Sequence, residues 1–462
     1  MPEAEGRGVA RERAREPGAA ASSGTEPEEA DRLRDLLRSP AYQKALVLSA
    51  LIGVPVSFAA FWFLAGLHAL ERLMWTDVPA RLGQGIPPWW WPLPLLAVAG
   101  LLVGLVVKHL PGAGGHIPAA GLNAKGTKPS ALPGVVLAAF IGLPLGATLG
   151  PEAPLIALGS GLAVLVAQQV RTLNTADGKA LVGSAGAAAA LAAIFGNPLV
   201  AAVMLIEMAG VGAPQLFVVI LPALLSSGIG AIVFTGFGRW TGLSTGNLSL
   251  DVGAPVPRLD AGDVLWAIVL SVGIAVAMHT IVATGRRVAR FVAGRPVTGA
   301  VLCALAAGVC AAVYTLTADR TPADVASSGQ GTLAVLAQDP HAWGAGALIA
   351  VLLCKGVAYA LCLGGLRGGP IFPALFLGAA TGVLLAPLPG LGVVPGMAAG
   401  MAAAAAATLR LPVSSVVLVA LVLRSESVMP VVILASVVSF VTVQLLPAGR
   451  PLPSPADPKG AT

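Results

Sequence analysis

Charge is what this 462-residue sequence has least of: 11% of its residues are Asp, Glu, Lys or Arg, against 56% hydrophobic ones. A soluble domain carries about 25% charged residues, so this chain cannot cover itself with polar surface. No soluble-looking block interrupts Ala45 to Leu446. Cysteine is scarce as well. Cys303, Cys310, Cys354 and Cys362 lie inside apolar runs with no C-x-x-C pair, a pattern of buried small hydrophobes that suggests neither a metal nor a disulfide framework. The motifs G-x-x-x-x-G-K-[ST] and H-E-x-x-H are both missing. No enzyme, cofactor or metal is expected. The N-terminus has no apolar core of the kind a signal peptide needs; Met1–Ser39 is rich in Glu, Arg, Gly and Pro and reads as a solvated tail.

What the chain does have is apolar length. A spanning helix needs roughly 20 apolar residues, and Ala45–Trp75, Trp89–Val107, Leu216–Phe237, Val264–Ala283, Thr298–Thr315 and Gly344–Leu363 each supply a run of that kind. Trp89, Trp90 and Trp91 open one of them as an interfacial belt would. Leu132–Leu149, Pro154–Val170, Ala185–Met208, Ile371–Leu385, Leu391–Leu409 and Val428–Leu446 are instead punctuated by Gly and Pro. Broken backbone is tolerated in a bilayer only where protein buries it or it lines a cavity, and half-helices of this sort build midplane sites in transporters. The expected fold is an all-α, multi-pass membrane domain over residues 41–446. A polar cytoplasmic tail at 1–40 precedes it, and a short Pro-rich tail at 447–462 leaves no room for a regulatory domain.

The net charge of +6 is placed in clusters. Arg286, Arg287, Arg290 and Arg295 share one short loop; Lys108, His109, Lys125 and Lys128 share another. Flanking apolar runs, these read as cytoplasmic loops under the positive-inside rule, not as a nucleic-acid surface. The loop Gly238–Asp263, with Asp251, Asp260 and Asp263, suits the outside.

One pattern occurs twice. Gly150–Gly159 and Gly369–Gly378 both read G-P-x-x-P-x-x-x-L-G, and an Ala-rich run ending in proline follows each, at Ala187–Pro198 and Met401–Pro412. Paired interruptions in two halves point to a binding site, so the domain reads as a duplication with halves near 41–240 and 255–446. A proline just inside a helix start sacrifices no hydrogen bond, and glycine beside it lets the backbone approach a ligand. A helix starting at or just before Pro154 therefore turns free N–H groups and its positive dipole end inward, a ready-made anion site. The copy at Gly369–Pro373 offers a second. Glu152 sits in the first copy alone. A carboxylate in the membrane interior is a functional-site hypothesis by default: seated at a helix N-terminus it competes with a transported anion, and protonated or swung away it opens the path. Its bland reading is a helix cap, which a short Ser or Asp would make better.

At these residues the sequence resembles the CLC family of chloride channels and chloride/proton exchangers. The family's G-x-E-x-P segment with its gating glutamate is matched by Gly150–Pro154, its G-x-F-x-P segment by Gly369–Pro373, and its earlier G-S-G-I-P segment by Gly114–Pro118. The post-proline helix that ends in a glutamate pair is matched from Gly196-Asn197-Pro198 to Ile206-Glu207-Met208. The resemblance implies chloride or a similar small anion as cargo, protons as a second one in exchangers, and a homodimer among membrane lipid with one pathway per subunit. It makes Glu152 the gate and places the anion against Gly115, His116, Ile117, Gly150, Pro151, Ala153, Gly369, Pro370, Ile371 and Phe372. The high arginine and alanine content suits a bacterial protein, hence a bacterial plasma membrane.

The departures are as telling. Gly115 stands where the family has serine and offers no hydroxyl, though backbone N–H groups from Gly115 to Ile117 remain. His116 replaces a glycine, as a pH-sensitive element or a surface loop residue. Ile371 falls on the family's phenylalanine, with Phe372 one residue away. Tyr42, Tyr314 and Tyr359 are the only tyrosines, so the family's C-terminal pore tyrosine is missing and Pro453 stands there. Met208 takes the place of the exchangers' internal proton-transfer glutamate, and methionine cannot carry a proton; Glu207 is either a structural or rim residue or part of a proton path. These features lean toward passive, channel-like chloride flux. A chloride/proton antiporter with a non-standard internal path, or a fluoride-exporting exchanger, is the alternative. Lys355 reads as a snorkelling or paired lysine or an anion attractor, Arg367 as a loop arginine or a charge at the pore mouth, and His279 as a satisfied buried histidine.

Overall fold

The computed structural model describes residues 34–35, 37–122, 126–170, 173–209, 213–243, 250, 252, 259–447, 449 and 452, with backbone alone at 213–217. Met1–Gln43 and Lys44–Thr462 are two compact units. In the first, Ser39 Oγ accepts the Tyr42 N–H at 3.2 Å, capping the helix that begins at Pro40.

That helix, α1, runs Pro40–Arg72 and continues through a π turn at Leu73–Asp77 into Val78–Arg81. It is followed by α2 (Pro92–His109), α3 (Leu132–Gly142), α4 (Glu152–Gln169), α5 (Ala176–Phe195), α6 (Pro198–Ala209) and α7 (Ala213–Thr241). The second half holds α8 (Ala261–Gly294), α9 (Pro296–Ala318), α10 (Gln330–Gln338), α11 (Ala345–Gly365), α12 (Ile371–Leu385), α13 (Val393–Leu409), α14 (Pro412–Leu423) and α15 (Met429–Leu445). Eight of the described helices are long and apolar enough to cross a bilayer; α3, α6 and α12–α15 are shorter. The chain is an all-α membrane protein built from two halves of tilted and broken helices.

Two expectations are corrected in detail. α4 and α5, with 18 and 20 residues, are long enough to span, because the breaks fall before Glu152 and at Gly196 and not within the helices. Arg286, Arg287 and Arg290 are not in a loop. They form the last turns of α8, since arginine is a good helix former and the helix runs on to Gly294. Lys125 and Asp251 lie outside the described residues.

The duplicated motif explains its own ending. Gly159 of α4 meets Gly186 of α5, and Gly378 of α12 meets Gly400 of α13; a Cβ on any of the four would overlap the opposite backbone. Small residues let membrane helices approach this closely, and dispersion contacts summed along the seam then hold them together. The Ala-rich runs supply the rest of the seam: Ala185–Phe195 and Val394–Leu409 are buried throughout. In each half a close-packed pair thus fixes the helix whose N-terminus faces the other half.

Candidate anion site and gate

Each copy of the motif breaks the chain at a Gly-Pro and then starts a helix, with Pro151 as N-cap of α4 and Pro370 as N-cap of α12. The first N–H groups of a helix have no intrahelical acceptor. Proline at the third helical position, Pro154 or Pro373, removes one of them, and the Leu155 N–H already bonds Pro151 O at 3.0 Å. Glu152 and Ala153 in α4, and Ile371 and Phe372 in α12, therefore carry the free donors. The two ends are tied face to face. Gly150 N–H donates to Gly369 O at 2.8 Å and Gly369 N–H to Gly150 O at 2.5 Å, the one strand-like bridge among the described residues.

Glu152 fills the space so formed. It is fully buried, and its Oε1 accepts the Phe372 N–H at 3.0 Å. The Ile371 and Glu152 N–H groups also lie near the carboxylate, while Oε2 has no hydrogen-bond partner among the described residues. The carboxylate does not tie off its own helix. It sits at the N-terminus of α12, where the dipole favours an anion. Gly150 and Gly369 leave the room it occupies, because a Cβ on either would overlap the seated carboxylate. Gly150, Pro151, Gly369, Pro370, Ile371 and Phe372 are thus brought together around Glu152. Phe372 contributes its N–H while its ring lies 6.3 Å from that of Phe195.

Two cavities reach the chain on either side of Glu152. The larger, about 320 Å³, is lined by Gly114, Gly115, His116, Lys128, Ala153 and Gly368, among others. The smaller, about 30 Å³, touches Pro151 beside His68, Glu71, Ser328 and Gln330. Around the larger one, Gly112, Ala113, Gly114 and Gly115 have φ of 78°, 49°, 69° and 102°, and the N–H groups of His116 and Ile117 have no acceptor among the described residues. Successive amides in such turns form anion-binding concavities. His116 is exposed toward the cavity. Crowding by the wall and then the Arg367 charge hold its imidazole below the ordinary range, against a smaller opposing effect of the Gly121 backbone.

Glu207 is elsewhere. Its carboxylate accepts Val413 N–H at 3.0 Å, Ser414 N–H at 2.8 Å and the Ser414 hydroxyl at 2.6 Å, capping α14 from the opposite half of the chain. Met208 packs against the core. Lys355 does not snorkel: it is fully buried, and its Nζ donates to the carbonyls of Asp324, Val325 and Ser327 at 3.1, 3.1 and 3.2 Å. Arg367 is buried too, and His279 is half-buried instead of enclosed. Pro453 lies outside the described residues. Tyr359 is the residue that reading the sequence missed. Its buried hydroxyl donates to Pro370 O at 2.6 Å, beside the Glu152 carboxylate. The available signal was a tyrosine inside an apolar helix, whose hydroxyl must find a partner.

With this geometry in view, the sequence model described as voltage gated chloride channel matches residues 99–444. The chain belongs to that family. As a member of the voltage gated chloride channel family it is a multi-pass membrane protein. Its fold is that of a slow cyanobacterial Cl⁻/H⁺ antiporter, with a TM-score of 0.72 at 18% identity over 89% of this chain and 96% of the other. A CLC-type fluoride/proton antiporter is similar at a TM-score of 0.67 and 18% identity, over 86% and 95%. In sequence, the YfeO proteins of Salmonella schwarzengrund and Salmonella paratyphi A, whose names describe ion transport, are 32% identical over 155 residues. That match covers 33% of this chain and only 37% of those relatives.

Proposed function

We propose that this protein passes chloride across the bacterial plasma membrane through one pathway per subunit of a homodimer, gated by Glu152, as passive flux. The observation that carries the reading is the Glu152 carboxylate on the Phe372 N–H. A seat that holds a carboxylate at the free end of α12 holds a halide when the carboxylate leaves. The ligands are backbone N–H groups and not a fixed charge, which suits the weak, multi-site binding that conduction needs. The pathway lies in a membrane domain over 41–446 whose halves, near 41–240 and 255–446, each present one helix end. Gly115, His116, Ile117 and Ala153 would receive the anion on the side of the larger cavity.

Passive flux is favoured by Glu207 and Met208. Glu207 has both carboxylate oxygens committed to α14, and Met208 cannot relay a proton. The second reading is exchange. Two proteins of similar fold are a Cl⁻/H⁺ antiporter and a fluoride/proton antiporter, and Glu152 could carry protons between the outer solution and the site. Anion flux from liposomes holding the purified protein separates these readings. Chloride efflux without proton movement is expected. Uphill proton pumping driven by a chloride gradient would overturn the passive reading, and selectivity for fluoride over chloride would replace chloride as cargo.

A further inference from the structure

We infer that Arg367 supplies the positive field of the anion cradle at Gly112–Ile117 and holds its backbone in place, the part that a side-chain hydroxyl at Gly115 would otherwise share. The inference rests on the transport reading above and concerns a residue that does not itself touch the anion.

Arg367 is 7% exposed. Its Nε–H donates to Ala113 O at 3.0 Å and its Nη1–H to Leu366 O at 3.1 Å. Its stem lies along Gly114, where a Cβ would come to 3.4 Å from Arg367 Cγ. Among the described residues no carboxylate pairs with the guanidinium. A buried charge bonded only to neutral carbonyls keeps its field, and in a low-dielectric interior that field acts across several ångströms. Gly368, the next residue, lines the 320 Å³ cavity together with Gly114 and Gly115. The charge therefore stands directly behind the wall.

Two consequences follow for the cradle. First, the guanidinium occupies the oxygens of Ala113 and Leu366, whose negative ends would otherwise lie unpaired beside an anion path. Second, it braces a costly conformation. Ala113 has φ 49° and ψ 40°, a left-handed backbone that residues with a Cβ seldom adopt, and its carbonyl is the one that Arg367 Nε holds. The brace joins the segment before α3 to the segment before α12, so the cradle and the Gly369 bridge move together. A charge set behind the wall raises anion affinity without gripping the anion as a direct ligand would.

The test uses the full-length protein in liposomes, with chloride varied on the face onto which the larger cavity opens. Arg367→Gln is expected to raise the half-saturating chloride concentration about tenfold, the size a buried charge gives at such range, with maximal flux nearly unchanged. Arg367→Lys, which keeps the charge, should stay near wild type. If Arg367→Gln folds poorly, the double variant Ala113→Gly/Arg367→Gln replaces it, because glycine takes the left-handed backbone without a brace; the same affinity shift is expected. Unchanged half-saturation in whichever variant folds, or a fall in maximal flux alone, overturns the inference while leaving the transport reading intact. A wild type that moves no anion would overturn the transport reading and this inference with it.

Discussion

Glu152 Oε1 and the Phe372 N–H meet at 3.0 Å across 220 residues of chain. A side chain from the first copy of the motif is thereby seated on the helix end made by the second. The two helix ends are otherwise alike: each has a proline in its first turn and a glycine held in the Gly150–Gly369 bridge. Only one carries a carboxylate. In the proposed reading the duplicated scaffold supplies the anion site, and the single unmatched residue competes for it.

If seating depends on the bare glycine at 369, filling that space should unseat the carboxylate. Gly369→Ala places a Cβ where the Glu152 carboxylate sits. Chloride flux at neutral pH should rise by roughly the factor that Glu152→Gln gives, and adding Glu152→Gln to it should change little further. Flux that falls, and stays low in the double variant, would mean the methyl group blocks the path instead.

Lys355 should matter to stability and not to anion affinity. Its ammonium closes three carbonyls of residues 324–327, and hydrogen bonds to charged groups contribute about 1.5–3 kcal/mol each. The lost desolvation cost of the charge offsets part of that. Lys355→Met should therefore lower unfolding stability by about 2–4 kcal/mol, seen as earlier thermal unfolding in detergent, with the half-saturating chloride concentration unmoved.

Glu207 separates a capping role from a proton path. Glu207→Ala removes the cap of α14 and should cost about 1–2 kcal/mol of stability, the usual range for a lost cap. The pH profile of chloride flux should be that of the wild type. A displaced profile would return Glu207 to the proton pathway.

Much of this was legible in the sequence. The repeated G-P-x-x-P-x-x-x-L-G marked both helix ends; that its last glycine packs in the seams Gly159–Gly186 and Gly378–Gly400 emerged only from the structure. Alignment of two copies shows that they are equivalent, however, not that they touch. The Gly150–Gly369 bridge is a contact between equivalent positions and leaves no mark in either copy. The start of α4 at Glu152, ahead of Pro154, was similarly open, because proline fits any position of a first turn whose N–H would be unpaired. Lys355 and Arg367 were ambiguous for another reason. Their partners are backbone carbonyls, which every residue carries, so no acidic residue in the sequence pointed to them.

The most direct measurement is chloride flux through Glu152→Gln in liposomes, followed as outside pH is varied. Glutamine keeps the shape of the side chain but, like the protonated acid, brings no charge to the α12 end. Flux should be at least that of the wild type and flat with pH, whereas wild-type flux should rise as acidification neutralises the carboxylate. A Glu152→Gln protein whose flux keeps the wild-type pH dependence would contradict the assignment of Glu152 as the gate.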